Sequence, residues 1–157
     1  MFNLIDADET LKLDNQLCFA LYALSRKMTS LYRPLLKELN ITYPQYLVLM
    51  VLWEEAAEKP AGVAIKHLCE RLFLDTGTLT PLLKRLETNG FVSRQRSVND
   101  EREVLIALTS EGVALKEKAA AIPMQMLCSG HIPFDKVGPL QQELRQLLMQ
   151  MGQGESA

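Results

Sequence analysis

At 157 residues, with 48% apolar and 23% charged side chains, the chain is long enough for one compact domain with a real core and too apolar to be disordered. No apolar run approaches the ~20 residues of a membrane span, and the acidic start (Asp6, Asp8, Glu9) is unlike a signal peptide. A cytoplasmic protein is expected, and its net charge of −2 means that a nucleic-acid partner would need a local basic face.

The first helix is expected to begin at Asp14, a good N-cap, and to run to Tyr32 or Arg33, with Leu17, Leu21, Leu24, Met28 and Leu31 at helical spacing. Pro34 lacks an N–H and should break or bend the backbone, leaving a short helical piece, Leu35 to Leu39, before Asn40. Thr42-Tyr43-Pro44-Gln45 reads as a capping box with proline in the first turn. The helix it opens runs through Glu55 and is apolar on most sides, which predicts a central, buried position.

After a turn at Lys59-Pro60-Ala61-Gly62, Val63 to Leu72 reads as a short amphipathic helix. A tight connection, Phe73 to Gly77, leads into a second helix that ends at Asn89-Gly90. The period then changes to that of two strands, 91–96 and 103–108, around a polar tip from Ser97 to Arg102. Thr109 or Ser110 caps a further helix, which Pro123 interrupts. A last amphipathic helix runs from about Phe134 to Met151 on a stripe of Leu140, Leu144, Leu147, Leu148 and Met151, with a frayed tail after Gly152. The fold class is mainly α with a small β-wing: a winged helix-turn-helix.

Two short helices joined by a few residues suit DNA reading when the second carries short polar groups early and cations later. Thr76 and Thr78 can approach base edges, and Lys84 and Arg85 can reach phosphates. Arg94, Arg96 and Arg102 are candidate cations for the minor groove, and Asp100 is expected to hold Arg102 through a salt bridge. The charges alone read equally well as a solvated face. The strand-turn-strand that follows tips the reading toward double-stranded DNA.

Three scattered cysteines, Cys18, Cys69 and Cys128, do not form a secreted disulfide framework. Cys18 falls about four residues into its helix if Asp14 is the cap. The unpaired N–H groups there attract negative charge and favour the thiolate, which attacks a peroxide oxygen to become a sulfenic acid. On the residues alone, Cys18 reads better as a small buried hydrophobe, as most free cysteines are. Tyr22 lies one turn along on the same face. Tyr32 has the right phase but is about 21 Å away along a straight helix, so it could meet Cys18 only if two first helices ran antiparallel across a dimer axis. Cys69 reads as core. Cys128 reads either as core or as a thiol on a loose helix after Pro123. Cys128-Ser129-Gly130-His131 lacks a second ligand pair, and neither a metal nor a cofactor is expected.

Leu79-Thr80-Pro81-Leu82-Leu83-Lys84-Arg85-Leu86-Glu87 and Asn99-Asp100-Glu101-Arg102 resemble the recognition helix and wing of the MarR family of repressors. Leu17-Cys18-Phe19-Ala20-Leu21-Tyr22-Ala23 and Thr42-Tyr43-Pro44-Gln45-Tyr46 are similar to its organic-hydroperoxide-sensing OhrR branch. The match runs from roughly Leu17 to Lys118. It implies a single MarR-like chain over residues 1–157, with a winged module at 42–108 and dimerisation helices at 11–41 and 109–151. It also implies a homodimer on a pseudo-palindromic operator.

The resemblance further implies a redox role for Cys18. Hydroxyls of Tyr22, Tyr32 and Tyr43 would bond its thiolate or orient an organic hydroperoxide. Cys128 of the partner chain would resolve the sulfenic acid as an intersubunit disulfide, as in two-cysteine members. The expected function is a repressor that binds its operator when reduced and leaves it when oxidised. Two alternatives stay open: a MarR-type repressor released by a small aromatic ligand, and a thiol peroxidase. The enzyme reading lacks an arginine close to Cys18, since Arg26 is two turns away.

Overall fold

The computed structural model describes residues 7–153, and its expected frayed tail lies largely outside them. The chain divides into two compact units, Met1–Ile122 and Pro123–Ala157. In the first, α1 (Ala7–Thr10) and a 3-10 turn (Leu13–Asn15) precede α2 (Leu17–Lys37) and α3 (Tyr43–Glu55). A two-residue strand β1 (Val63–Ala64), α4 (Ile65–Leu72), α5 (Thr76–Thr88), β2 (Val92–Arg96), β3 (Val104–Leu108) and α6 (Ser110–Ala119) follow. The second unit contains α8 (Phe134–Gln153) and most of α7 (Ile122–Ser129).

The start of α2 differs from expectation. Asp14 sits in the 3-10 turn, and Gln16, extended at φ −93° and ψ 113°, is the N-cap. The segment before it is tied to itself, with Asn15 Nδ2 donating to the Glu9 carbonyl at 2.8 Å and Gln16 Nε2 to the Lys12 carbonyl at 3.2 Å. Those bonds hold Asp14 in a turn of its own and move the helix start downstream. Cys18 is consequently the second residue of α2, not the fourth.

Pro34 does not end this helix. It lies exposed inside α2, which continues to Lys37 with Leu36 fully buried. A mid-helix proline costs about 3 kcal/mol, and burying Leu36 beside Leu35 and Leu39 offsets a loss of that size at about 1.5–3 kcal/mol per large apolar side chain.

The capping box at Thr42 forms, with its amide donating to Gln45 Oε1 at 2.8 Å. As expected, α3 is central: Tyr46, Val48, Leu49, Val51 and Leu52 are buried. It meets Leu68 of α4, Leu79, Leu83 and Leu86 of α5, and Ile106 of β3 in one core. Trp53 Nε1 donates to the Gly112 carbonyl at 2.8 Å, joining α3 to α6. Gly112 has no room for a side chain there, because a Cβ would lie 2.0 Å from the Phe91 carbonyl oxygen.

The wing is a three-stranded antiparallel sheet in the order β1-β3-β2, not a bare hairpin. Val63 pairs with Ile106, and Arg94 faces Ile106 from the other side. Two residues of β1 carry too little periodicity to be seen in the sequence, so the expected helix began there instead of at Ile65.

Candidate redox site and nucleic-acid interface

On α2, Cys18 and Tyr22 are both exposed, Tyr22 at 58%. They belong to an apolar exposed stretch with Leu17, Phe19 and Leu24. Tyr22 is engaged by Arg26, whose Nη1 donates to the phenol oxygen at 2.9 Å and whose guanidinium carbon lies 5.5 Å from the ring centroid. The phenol proton remains available to an acceptor.

Tyr32 belongs to a different cluster. Its ring lies 4.7 Å from that of Tyr43 and 6.0 Å from that of Tyr46, while Tyr46 meets Trp53 edge-on at 6.2 Å. Burial, then the neighbouring phenols of Tyr43 and Tyr46, push the Tyr32 hydroxyl up to about 12. Burial raises Tyr43 and Tyr46 as well. All three are neutral donors at physiological pH. Of the expected positioning residues, the structure brings together Tyr32 and Tyr43, while Tyr22 stays beside Cys18 one turn along. Tyr46, one turn from Tyr43, joins this cluster with its ring 6.5 Å from that of Tyr43, a spacing visible in the sequence. Cys69 packs against the core as expected, with Sγ 3.9 Å from Thr76 Oγ1. In the second unit Cys128 is exposed near the end of α7, not in a core.

The helix-turn-helix is built from α4 and α5. Phe73 turns the chain in the left-handed region at φ 54°, and the Leu74 amide closes α4 on the Cys69 carbonyl at 3.0 Å. Asp75 caps α5, accepting from the Thr78 amide at 2.7 Å and from its hydroxyl at 2.9 Å. These bonds hold the Asp75 carboxyl below its ordinary range, the amide bond most of all. With Leu79, Leu83 and Leu86 buried, Thr76, Thr78, Lys84 and Arg85 stand exposed.

The wing corrects two expectations. Asp100 Oδ1 accepts from the main-chain amide of Arg102 at 2.9 Å, forming a turn instead of a side-chain salt bridge, so the guanidinium is exposed. Arg94 is not a free cation, because its Nε lies 3.2 Å from Glu87 Oε2 on α5. Arg96 is exposed.

Arg33 and Lys37, one turn apart near the end of α2, were overlooked in the sequence. With Arg85, Thr42 and Tyr43 they line an open concavity of about 780 Å³. Among the described residues, none of its three cations has an ion-pair partner within 4 Å.

This winged architecture agrees with a family match. Residues 30–119 match the model of the transcriptional regulator SarA/Rot family. The chain is also 56% identical over 117 residues to the organic hydroperoxide resistance transcriptional regulator of Bacillus subtilis (strain 168), covering 74% of this chain and 76% of that one. The chain belongs to this family of MarR-type transcriptional regulators. Among solved structures it is similar to AbfR of Staphylococcus epidermidis. Reduced AbfR bound to DNA is 38% identical with a TM-score of 0.71, covering 93% of this chain and 99% of that one. The disulfide form of AbfR is 37% identical with a TM-score of 0.60, covering 90% and 96%. Among the described residues no helix is long and apolar enough to cross a membrane.

Proposed function

We infer that this regulator is a homodimeric, cytoplasmic repressor that binds operator DNA when reduced and is released when an organic hydroperoxide oxidises Cys18. The observation that carries this reading is the exposed thiol of Cys18 at the second residue of α2, with Tyr22 one turn along and the paired phenols of Tyr32 and Tyr43 further on. The sequence similarity to a hydroperoxide resistance regulator supports it, as does the existence of reduced DNA-bound and disulfide forms of AbfR.

The chemistry balances in two steps. The Cys18 thiolate attacks the terminal peroxide oxygen, the O–O bond breaks, and the alkoxide leaves to take a proton as the alcohol. Cys18 is now a sulfenic acid. The thiolate of Cys128 from the partner subunit then attacks that sulfur, forming the disulfide and expelling hydroxide, which becomes water. Sulfur is oxidised by two electrons and the hydroperoxide is reduced by two.

The protein's own groups prepare the first step. Neutral phenols donate hydrogen bonds to the thiolate or to the departing alkoxide oxygen. Tyr32 and Tyr43 would act from the partner's α2 and α3, because one straight helix holds Cys18 and Tyr32 about 21 Å apart. Exposed Leu17, Phe19 and Leu24 on α2, and Leu140, Leu144 and Leu148 on α8, are the apolar surface a dimer would cover. Disulfide formation then moves the two winged modules off successive major grooves, and each tenfold loss of affinity needs only ~1.4 kcal/mol.

The test is Cys18→Ser. It should bind the operator with unchanged affinity and remain bound after hydroperoxide is added. A Cys18→Ser protein that still leaves DNA sinks the redox reading. Non-reducing electrophoresis should show a covalent dimer in the oxidised wild type, absent in Cys128→Ser.

The concavity beside Arg85 favours one second reading, release by a small aromatic anion, since its volume falls in the range of ligand pockets. Release by an aromatic carboxylate in the Cys18→Ser protein would support it. Steady turnover of peroxide by a catalytic amount of protein with a reductant would instead support a thiol peroxidase.

A further inference from the structure

A recognition helix and a wing must keep a fixed separation, because one enters the major groove and the other the adjacent minor groove. Among the described residues one ion pair bridges them. Arg94 is the middle residue of β2, and its Nε, screened from water, has no aligned hydrogen bond but lies 3.2 Å from Glu87 Oε2. Glu87 sits on the wing-facing flank of α5, 43% exposed, next to Thr88 and one turn from Lys84. Left alone, its carboxylate would repel an approaching phosphate, and the screened guanidinium edge would be an uncompensated charge.

The wing is braced at other points as well. On the opposite face of β2, Gln95 Nε2 donates to the Ala61 carbonyl. At the tip, the Ser97 amide donates to the Glu103 carbonyl at 2.9 Å and the Glu103 amide to the Asp100 carbonyl at 2.9 Å. These bonds stiffen the wing beyond Arg94, so a contact at the middle of β2 bears on where the tip points.

We propose that Glu87 and Arg94 are positioning residues, a clasp that fixes the angle between recognition helix and wing so that Arg96 and Arg102 reach the minor groove. Arg94 acts through Glu87 and does not itself contact DNA. The assignment deepens the DNA-binding reading and rests on it. It also gives Glu87, an acid on a DNA-facing helix, a reason to be there.

The clasp and plain charge arithmetic predict opposite signs for one variant. Glu87→Gln removes a negative charge from each protomer beside the phosphates, which by attraction alone should tighten binding and leave the footprint unchanged. The clasp predicts that it weakens binding by about tenfold, the scale of losing one or two contacts. It also predicts that hydroxyl-radical protection disappears at the outer minor-groove positions while the central major-groove protection persists.

The probe is a duplex enriched from a randomised library by the reduced wild-type protein. The charge swap, Glu87→Arg with Arg94→Glu, should restore both affinity and outer protection. A Glu87→Gln protein that binds as tightly as the wild type with outer protection intact overturns the clasp, and so does a swap that leaves outer protection missing. A wild-type protein that enriches no duplex overturns the DNA-binding reading itself, and the clasp with it.

Discussion

The ring of Tyr32 rests on that of Tyr43 with centroids 4.7 Å apart and planes tilted by 41°. This contact joins the last third of α2 to the first turn of α3 and surrounds each phenol with others. Under the proposed function, a stability effect and a sensing effect fall on the same side chains.

Alkaline titration should expose the stability effect. Tyr32 is pushed up to about 12 by burial, then by Tyr43 and Tyr46, so the folded chain keeps a proton that the unfolded chain sheds near 10. Its stabilisation is fully present below about pH 10 and is lost as pH rises through about 12. Melting temperature in Tyr32→Phe should fall less steeply over this range than in the wild type. Parallel slopes would contradict it.

The sensing effect should appear in kinetics. Tyr32→Phe removes one phenolic hydrogen bond worth about 1 kcal/mol, so trapping of the Cys18 sulfenic acid should slow about five- to tenfold with affinity for DNA unchanged. Dilution to monomer should slow oxidation by at least as much, if the phenol comes from the partner.

Acid should weaken a separate network. Glu55, with its side chain 12% exposed, accepts from Lys59 at 2.5 Å and pairs with His67 at 2.8 Å, joining the end of α3 to α4. Lys59 chiefly, with His67, holds its carboxyl below the ordinary range against the opposing effect of burial. That contribution is present above the unfolded-state value and is lost as pH falls through the lower folded value. Melting between about pH 7 and about pH 3 should therefore be flatter in Glu55→Gln than in the wild type.

Gly112→Ala should destabilise the first unit by about 1–3 kcal/mol or more, as overpacking against backbone does. The added methyl meets the Phe91 carbonyl at 2.0 Å, and the Trp53 bond to the Gly112 carbonyl would shift with it. Chemical denaturation midpoints measure this directly. Replacement without loss of stability would mean that α6 can slide, contrary to the packing seen.

Salt dependence should separate the cations. Lys84→Gln should lower the slope of log affinity against log salt by about 1, the signature of one phosphate contact. An unchanged slope would remove Lys84 from the interface.

The capping box at Thr42, the helix ending at Asn89-Gly90, the strand period after Phe91 and the exposed cations of α5 were legible in the sequence, because each depends on neighbours within a turn or two. So was the spacing that separates Cys18 from Tyr32. Other features needed contacts between residues far apart in the chain. Burial of Leu36 carries α2 through Pro34, pairing with β3 makes a strand of Val63 and Ala64, and α5 turns Arg94 from a free cation into the partner of Glu87. The start of α2 is a local exception, set where Asn15 and Gln16 bond back to Glu9 and Lys12 and displace the N-cap expected at Asp14. Local pattern alone thus determined the helix-turn-helix, its wing and the thiol near the head of α2. Tertiary packing decided which charges stay free to meet DNA and which phenols stand together, because burial and pairing energies there exceed the local preferences they override.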